Sequence, residues 1–285
     1  MASDTLNAVH RLIIDALKQA EIESYQFEAR IILEERSGRT WGDLISHPDA
    51  VLEPDVVQEI RNDIDVRLSG KPLSRIYCRN EFWGLPFQVN QHTLDPRSDT
   101  ETIIDRALSL FDKDREIRIL DLGTGSGCIV IALLSEFPKA KALAVDVSEN
   151  ALDCARDNAK LNKVDDRCEF LCGSWFESVE GTFDLIVSNP PYIRSAVIPS
   201  LSPEVKNHDP ILALDGGQDG LQPYKTIFSH LKTYLNPNGI GLFEIGYDQK
   251  DDVMRLSETT GFAQRTVHMD MAGNPRVVEI SCGDK

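Results

Sequence analysis

The tetrapeptide Asn189-Pro190-Pro191-Tyr192 combines residue types that could hold a planar nitrogen group for chemistry. An amide or aromatic amine nitrogen is a poor nucleophile because its lone pair is delocalised. The side-chain oxygen of Asn189 and the carbonyl of Pro190 could accept its two N–H groups, align the nitrogen and favour the charge that develops on it. The prolines stiffen the turn, and Tyr192 supplies a flat face. The tetrapeptide therefore predicts catalysis on an amide or amine nitrogen rather than a mere break between elements.

A second candidate site is the glycine-rich loop Asp121–Gly127, which reads DLGTGSG. The loop follows an apolar run and opens a helical one, and its glycines let the backbone turn tightly and approach a ligand. Its GxGxG spacing, with an acid two places before the first glycine, differs from the GxGxxG that is typical of dinucleotide sites. The loop therefore indicates a ligand that needs no pyrophosphate cradle, such as S-adenosylmethionine.

Two further residues fit the same ligand. Asp146 ends the next apolar run, about 25 residues beyond Asp121, and a carboxylate there can accept hydrogen bonds from both ribose hydroxyls. Trp175 follows the apolar run after that, where an indole could flank an adenine ring, with core packing as the alternative. With the glycine loop, these residues predict a methyl transfer from S-adenosylmethionine. The alternative is that the loop is only a tight turn between a strand and a helix and that Asp146 is only a solvated acid.

The elements that must position these residues follow from the hydrophobic periodicity. After Asp95-Pro96 the chain alternates between predicted strands and helices, which implies an α/β fold with a mostly parallel sheet. Two closing strands without a long helix between them predict an antiparallel pair at one edge. Ligands of such sheets bind beyond the carboxyl ends of the strands, where the loop and the tetrapeptide lie. The predicted strands are Ile117–Leu122, Ala140–Val147, Arg167–Leu171, Phe183–Ser188, Ile240–Ile245, Gln264–His268 and Arg276–Ser281, and the predicted helices include Gly127–Phe137, Glu149–Leu161 and Leu221–Leu235.

The amino-terminal part of the chain is expected to form a separate domain. Residues 1–68 carry apolar residues at helical spacing and predict a small helical bundle. This segment holds no catalytic pattern and has 14 acidic against 7 basic residues, so we expect it to recognise a protein partner. Residues 69–95 would link it to a methyltransferase domain of residues 96–285.

The expected linker contains a β-hairpin. Residues Arg75–Val89 are rich in aromatic and β-branched side chains, which favours strands. Its turn candidates are Asn80-Glu81 and Gly84. The hairpin is therefore predicted to join the two domains.

Composition and charge exclude several classes of protein. The chain has 285 residues and a net charge of −16, which argues against a protein that holds nucleic acid through its phosphates. No run approaches the ~20 apolar residues of a membrane span, and the polar residues of the first helical run argue against a signal peptide. The six cysteines show no CxxC pair and no zinc-type spacing, so we expect buried free thiols and no metal site. A cytoplasmic monomer without membrane or nucleic-acid partners is expected.

With these residues assembled, the chain resembles the release factor glutamine N(5)-methyltransferases, the HemK or PrmC family. The NPPY letters alone are shared with DNA adenine methyltransferases, whereas their combination with the helical domain and the PRSDTE segment is more specific. One departure is Ser98, where the family often has proline, and it puts the local turn in doubt more than the chemistry. The resemblance covers nearly the whole chain, through Glu28-Ala29-Arg30, Gly38-Arg39-Thr40, Glu81-Phe82-Trp83, Asp95–Glu101, Asp121–Gly127, Asp146, Trp175-Phe176, Asn189–Tyr192, Asp209-Pro210, Ala213-Leu214 and Gly216-Gly217.

The resemblance implies a fold, a reaction and a set of site residues. The fold would be a class I S-adenosylmethionine-dependent methyltransferase with a seven-stranded sheet, preceded by a helical bundle and a hairpin. The substrate would be the glutamine of the Gly-Gly-Gln loop in bacterial-type peptide chain release factors. Asn189, Pro190 and Tyr192 would hold the glutamine, and Pro191 completes the catalytic tetrapeptide. The implied cofactor-binding residues are Thr100, Gly123, Thr124, Gly125, Ser126, Gly127, Asp146, Trp175 and Asn189.

Two rival functions follow from the same residues. An N6-adenine methyltransferase acting on DNA or RNA would have to capture an unpaired base and would favour a basic track, which the net charge does not indicate. A non-catalytic module could keep the fold and use the helical domain to dock a partner. The intact Asn189, Asp146 and glycine loop argue against that second alternative.

Overall fold

The chain divides into two compact units, Met1–Cys78 and Arg79–Lys285. The structure is a computed structural model that describes residues 4–282. The first unit extends ten residues beyond the predicted end of the helical domain at residue 68, because a further short helix, Leu73–Tyr77, belongs to it. The hairpin lies wholly in the second unit.

The first unit is a helical bundle, as its periodicity predicts. Thr5 caps the first helix by accepting a hydrogen bond from the backbone of Ala8 at 3.3 Å, and Gly38 ends the second helix in the left-handed conformation. A buried ion pair between Arg67 and Glu28, 2.6 Å long, joins the second and fourth helices. The helices are α1 (Leu6–Gln19), α2 (Tyr25–Ser37), α3 (Trp41–Ser46), α4 (Pro54–Leu68) and α5 (Leu73–Tyr77).

The hairpin is shorter than predicted. It consists of β1 (Arg79–Phe82) and β2 (Leu85–Gln88), and the first residues of the predicted span are helical because Pro72 opens α5 there. Asn80-Glu81 lies in β1, so that turn candidate is wrong. The turn is at Trp83-Gly84, where both residues have positive φ, as a two-residue hairpin turn requires.

The second unit carries the predicted seven-stranded sheet. Its strand order is β5-β4-β3-β6-β7-β9-β8, and only β9 runs against its neighbours, which confirms the antiparallel pairings at one edge. The strands are β3 (Arg118–Leu122), β4 (Lys141–Asp146), β5 (Cys168–Cys172), β6 (Phe183–Ser188), β7 (Leu235–Glu244), β8 (Gln264–Met269) and β9 (Pro275–Ser281). The helices are α6 (Glu101–Leu110), α7 (Cys128–Glu136), α8 (Glu149–Leu161), α9 (Pro203–His208), α10 (Gln222–Tyr234) and α11 (Lys250–Thr259).

Six of the seven strand predictions agree with these bounds to within a residue at each end, and β7 differs. It begins at Leu235, five residues before the predicted start, because Leu235 already pairs with Phe183 across an irregularity in the ladder. The letters Asn236-Pro237-Asn238-Gly239 indicate a turn, and they form this irregular part of the strand instead.

Three expectations about composition can be compared with residues 4–282. All six cysteines are free thiols, but Cys78 and Cys172 are exposed, so their predicted burial is wrong. Within the described range, no cluster of three or more histidine, cysteine or acidic side chains could hold a metal ion. None of the helices there is long and apolar enough to cross a membrane.

Candidate active site

Four parallel strands end at the same edge of the sheet, and each ends beside a candidate site residue. β3 runs into the glycine loop, β4 ends at Asp146, β6 ends directly before Asn189, and β7 ends at Glu244. Carboxyl ends of parallel strands form the ligand-binding edge of open α/β sheets. Two cavities open there, and Asn189 lines both of them.

The first cavity has a volume of about 310 Å³ and gathers most of the predicted cofactor-binding residues. A Cβ built on Gly125 would meet no protein atom within 4 Å, so the backbone leaves open space there. The walls include Thr100, Gly123, Thr124, Gly125, Ser126, Asp146, Trp175, Asn189 and Pro191.

The Asp146 carboxylate ties the glycine loop to the end of β4. Its Oδ2 accepts a hydrogen bond from the backbone N–H of Gly125, and its Oδ1 accepts one from Ser148, both at 2.9 Å. Each oxygen therefore keeps a lone pair that could accept a further hydroxyl. Burial raises the pKa of this carboxyl, and the backbone N–H groups oppose that effect.

Asp121 anchors the loop from inside the core. It is fully buried, and its Oδ2 accepts a hydrogen bond from the Thr124 hydroxyl at 2.7 Å. Its Oδ1 has no hydrogen-bond partner within residues 4–282. Burial raises the pKa of Asp121 to about 7, helped by the nearby charge of Asp146. Asp121 does not line the first cavity, so its role is to hold the loop.

Gly127 does not line the first cavity either. Its φ is +80°, and a Cβ there would lie 2.9 Å from Cδ1 of Ile131 and 3.2 Å from Cβ of Ala155. The glycine is therefore required for close packing of α7 on α8. The expectation that it contacts the cofactor has no support in the geometry.

Trp175 lies against the loop and also packs on the core. Its Cζ3 would be 3.8 Å from a Cβ on Gly123, and the side chain is only partly buried. The core-packing alternative is therefore confirmed, and the residue also lines the first cavity. Its place beside an adenine ring stays a prediction.

The second cavity adjoins the first and has a volume of about 340 Å³. Tyr192 lines it together with Asn189, whereas Pro190 lines neither cavity. Its apolar walls are Leu94, Ile193, Leu201, Val205, Ala213 and Leu214, and its polar residues include Arg97, Asp99, Asp209 and Glu244.

Asn189 is hydrogen-bonded to Thr100. Its Nδ2 donates a hydrogen bond to the Thr100 hydroxyl at 3.3 Å. This bond uses the amide nitrogen and leaves Oδ1 as the atom that can accept. The Ser98–Thr100 turn that places Thr100 forms with serine at position 98, so the departure from the family's proline leaves the turn intact.

Several residues around the second cavity were missed by the sequence interpretation. Arg276, whose role could not be assigned from the sequence, pairs with Asp99 and with Asp270, both at 3.1 Å. Gln249 donates to the carbonyl of Tyr192 at 3.0 Å and so fixes the backbone of the tetrapeptide.

Glu244 was also missed, although its position at the end of a strand is the signal that identified Asp146. Its side chain is buried, with Oε1 3.5 Å from the Tyr192 hydroxyl and Oε2 without a hydrogen-bond partner in the described part of the chain. Burial raises the pKa of Glu244 to about 7, against the opposing effect of Arg276.

Comparisons with known proteins match both units. Residues 102–200 match the family "Methyltransferase small domain", and residues 9–77 match the "PrmC N-terminal domain". A "Release factor glutamine methyltransferase" of Agrobacterium fabrum is 40% identical over 266 residues, which cover 92% of either chain. A protein of that name from Bradyrhizobium diazoefficiens is 40% identical over 278 residues, which cover 96% of this chain and 94% of its own.

A solved structure shares the fold at low identity. The hMettl16 catalytic domain, in complex with MAT2A 3′UTR hairpin 1, has a TM-score of 0.59 and 15% sequence identity. The match covers 86% of this chain and 89% of that one. At this identity the likeness shows the fold alone.

Proposed function

The chain belongs to the family of release factor glutamine methyltransferases, and from that premise we propose which of its residues carry the reaction. The protein transfers a methyl group from S-adenosylmethionine to the side-chain amide nitrogen of the glutamine in the Gly-Gly-Gln loop of a peptide chain release factor. The observation that carries our assignment is the position of Asn189, which lines both the cavity with the predicted cofactor residues and the cavity beside it.

The first cavity fits S-adenosylmethionine, which supplies an electrophilic methyl group when bound. Asp146 would accept the ribose hydroxyls with the lone pairs that its backbone contacts leave free. The open space at Gly125 would admit the amino acid end, and Trp175 would flank the adenine. Thr100 lines the same cavity and stays an expected neighbour of the amino acid end.

The second cavity would receive the glutamine. Oδ1 of Asn189 would accept one N–H of its amide, and the Tyr192 ring would bound the planar group. The Pro190 carbonyl stays the expected acceptor of the other N–H, although Pro190 itself lines neither cavity. The apolar walls would exclude water and so strengthen these polar contacts. Two glycines before the glutamine let a narrow backbone enter the cavity without side-chain obstruction.

The first unit would recognise the rest of the release factor. A loop of three residues offers few anchors, so affinity must come from other contacts. The excess of acidic side chains in residues 1–68 would speed encounter with a basic, ribosome-binding partner.

The adenine methyltransferase alternative is not favoured. The relatives at 40% identity align over nearly the whole chain, and the amino-terminal unit matches a domain of the same family. The test is to supply labelled S-adenosylmethionine with a release factor, with adenine-containing DNA or with RNA, at low salt. We expect label in the release factor alone, and label in a nucleic acid would restore the alternative.

A further inference from the structure

Asn189 can serve as an acceptor in only one of its two amide orientations. The oxygen and nitrogen of a side-chain amide occupy nearly the same space, so hydrogen-bond partners decide which way the group faces. In the flipped orientation Asn189 would present its own N–H groups to the N–H groups of the glutamine. Two donors facing each other would leave the buried glutamine amide unpaired, which costs free energy.

The Thr100 hydroxyl contacts Asn189 but does not by itself choose an orientation. It is buried, and its oxygen accepts from Nδ2 of Asn189 at 3.3 Å. A hydroxyl can both donate and accept, so a freely rotating Thr100 could equally donate to Oδ1 of a flipped Asn189. The direction of this bond depends on which acceptor takes the one hydrogen bond that the Thr100 hydroxyl can donate.

Glu244 is the acceptor next to Thr100. It is only 2% exposed, and its Oε2 has no hydrogen-bond partner among residues 4–282. The nearby Thr100 hydroxyl lowers the pKa of this carboxyl, against the larger effect of burial. The other carboxylates of the second cavity are already paired, Asp209 with Arg97 at 2.9 Å and Asp99 with Arg276 at 3.1 Å. A carboxylate ion can only accept hydrogen bonds.

We propose that Glu244 and Thr100 are positioning residues that fix the amide orientation of Asn189. The ionised Glu244 accepts a hydrogen bond from the Thr100 hydroxyl. The Thr100 oxygen can then only accept, and it accepts from Nδ2 of Asn189. Oδ1 of Asn189 therefore faces the substrate as an acceptor. This inference rests on the proposed function, because that function makes Asn189 the acceptor for the glutamine amide.

The chain of bonds makes turnover depend on pH. A protonated Glu244 no longer requires the Thr100 proton, so Asn189 can flip as pH falls through the pKa of Glu244, which burial raises to about 7. The titratable or charged groups that act on Glu244 are Tyr192 in the tetrapeptide, Asp99 on the Ser98–Thr100 turn, Arg276 on β9, Tyr224 on α10 and Cys128 on α7.

The experiment compares full-length wild type with Thr100→Val, Glu244→Gln and the double variant. Loss of one charge-assisted hydrogen bond should lower kcat at saturating S-adenosylmethionine about 10-fold in each single variant. Glu244, which does not line the first cavity, should leave the Kd for S-adenosylmethionine within about threefold of wild type when it is replaced by glutamine. The double variant should be no slower than the slower single variant, because both substitutions break the same chain of hydrogen bonds.

Thr100→Ser keeps the hydroxyl and should recover most of the lost turnover. Ser257→Ala, which removes a buried hydroxyl of α11, is the matched control and should keep the wild-type kcat.

Two further readouts separate positioning from simple damage. Wild-type kcat should fall about fivefold from about pH 8.5 to about pH 5.5, whereas Thr100→Val should lose most of this dependence. In nuclear magnetic resonance spectra without substrate, the side-chain N–H signals of Asn189, identified by their absence in Asn189→Ala, should exchange slowly in wild type and faster in both single variants.

Three results would overturn the proposal. They are a wild-type kcat in Thr100→Val, single losses that multiply in the double variant, and a loss confined to the Kd for S-adenosylmethionine. If wild type fails to methylate any release factor while Asn189 exchange still depends on Thr100 and Glu244, the proposed function fails and the positioning inference stands.

Discussion

The two cavities that meet at Asn189 have similar volumes, about 310 and 340 Å³, but their walls are built differently. The first contains the continuous glycine loop, Gly123–Ser126, with Asp146 bonded to that loop, among residues of several other segments. The second contains no residue of that loop, and it includes Tyr192 and Glu244, which the first lacks. A glycine loop suits the close approach of one small ligand, whereas a wall without such a loop can be fitted to a particular protein partner through its side chains. The difference predicts that damage to each cavity will have a different kinetic signature.

The largest effect is expected at the point where the cavities meet. Asn189→Ala removes one preorganised acceptor from a dry site, which is worth roughly 3 kcal/mol, so kcat should fall at least ~100-fold. Calorimetry should show that S-adenosylmethionine still binds. Near-normal turnover in a folded variant would remove the tetrapeptide from the chemistry.

Two buried acids, Glu244 in the second cavity and Asp121 beneath the loop of the first, should make the free energy of unfolding fall as pH rises. Glu244 ionises near its ordinary value of 4.5 when unfolded but near 7 when folded. Below pH 4.5 the carboxyl is protonated in both states, so its ionisation does not change the free energy of unfolding. As pH rises from 4.5 through 7, the unfolded state ionises more readily than the folded state, and the free energy of unfolding falls. Glu244→Gln should therefore gain about 3 kcal/mol relative to wild type between about pH 4.5 and about pH 8.

Asp121→Asn should show the same sign, because the pKa of Asp121 is raised from 3.8 to about 7. Urea unfolding without cofactor, followed at low and high pH, measures both effects. Glu169→Gln on β5 removes an exposed carboxylate and serves as the control. A stability difference that stays constant with pH would mean that the two acids have the same pKa in the folded and the unfolded state.

The first cavity should be sensitive in binding rather than in turnover. Asp146→Ala should weaken S-adenosylmethionine binding by about 1.5–3 kcal/mol, because hydrogen bonds to a charged acceptor are lost. At saturating cofactor, kcat should recover much of its wild-type value. Unchanged affinity by calorimetry would show that Asp146 only ties the glycine loop to β4.

The sequence predicted the residues of the glycine loop and the tetrapeptide better than the remaining residues around the second cavity. The glycine loop, Asp146 and the tetrapeptide are local patterns at strand ends, so residue type and spacing were enough to place them at one edge of the sheet. Glu244 lines the second cavity, and Arg276 pairs with Asp99 of its wall. Contacts across the fold place both residues, and no spacing rule connects them to Asn189. The start of β7 was missed because the Pro237-Gly239 region resembles a turn.

The smallest expected effect concerns the first unit. Without residues 1–78, the KM for a whole release factor should rise about 10-fold or more, while the low activity on a short peptide with the Gly-Gly-Gln sequence should change little. The full chain should also lose affinity for the whole factor as salt is raised, since screening weakens the acidic attraction. Equal losses on both substrates would mean that the first unit supports folding or the cofactor site instead.

The most direct test of the account is mass mapping of the methyl group. Wild type and Asn189→Ala are each incubated with labelled S-adenosylmethionine and a purified release factor, and the factor is digested and sequenced by mass spectrometry. The account predicts a single methyl group on the glutamine of the Gly-Gly-Gln loop with wild type, and almost none with Asn189→Ala. A methyl group on another residue, or equal labelling by the variant, would contradict it.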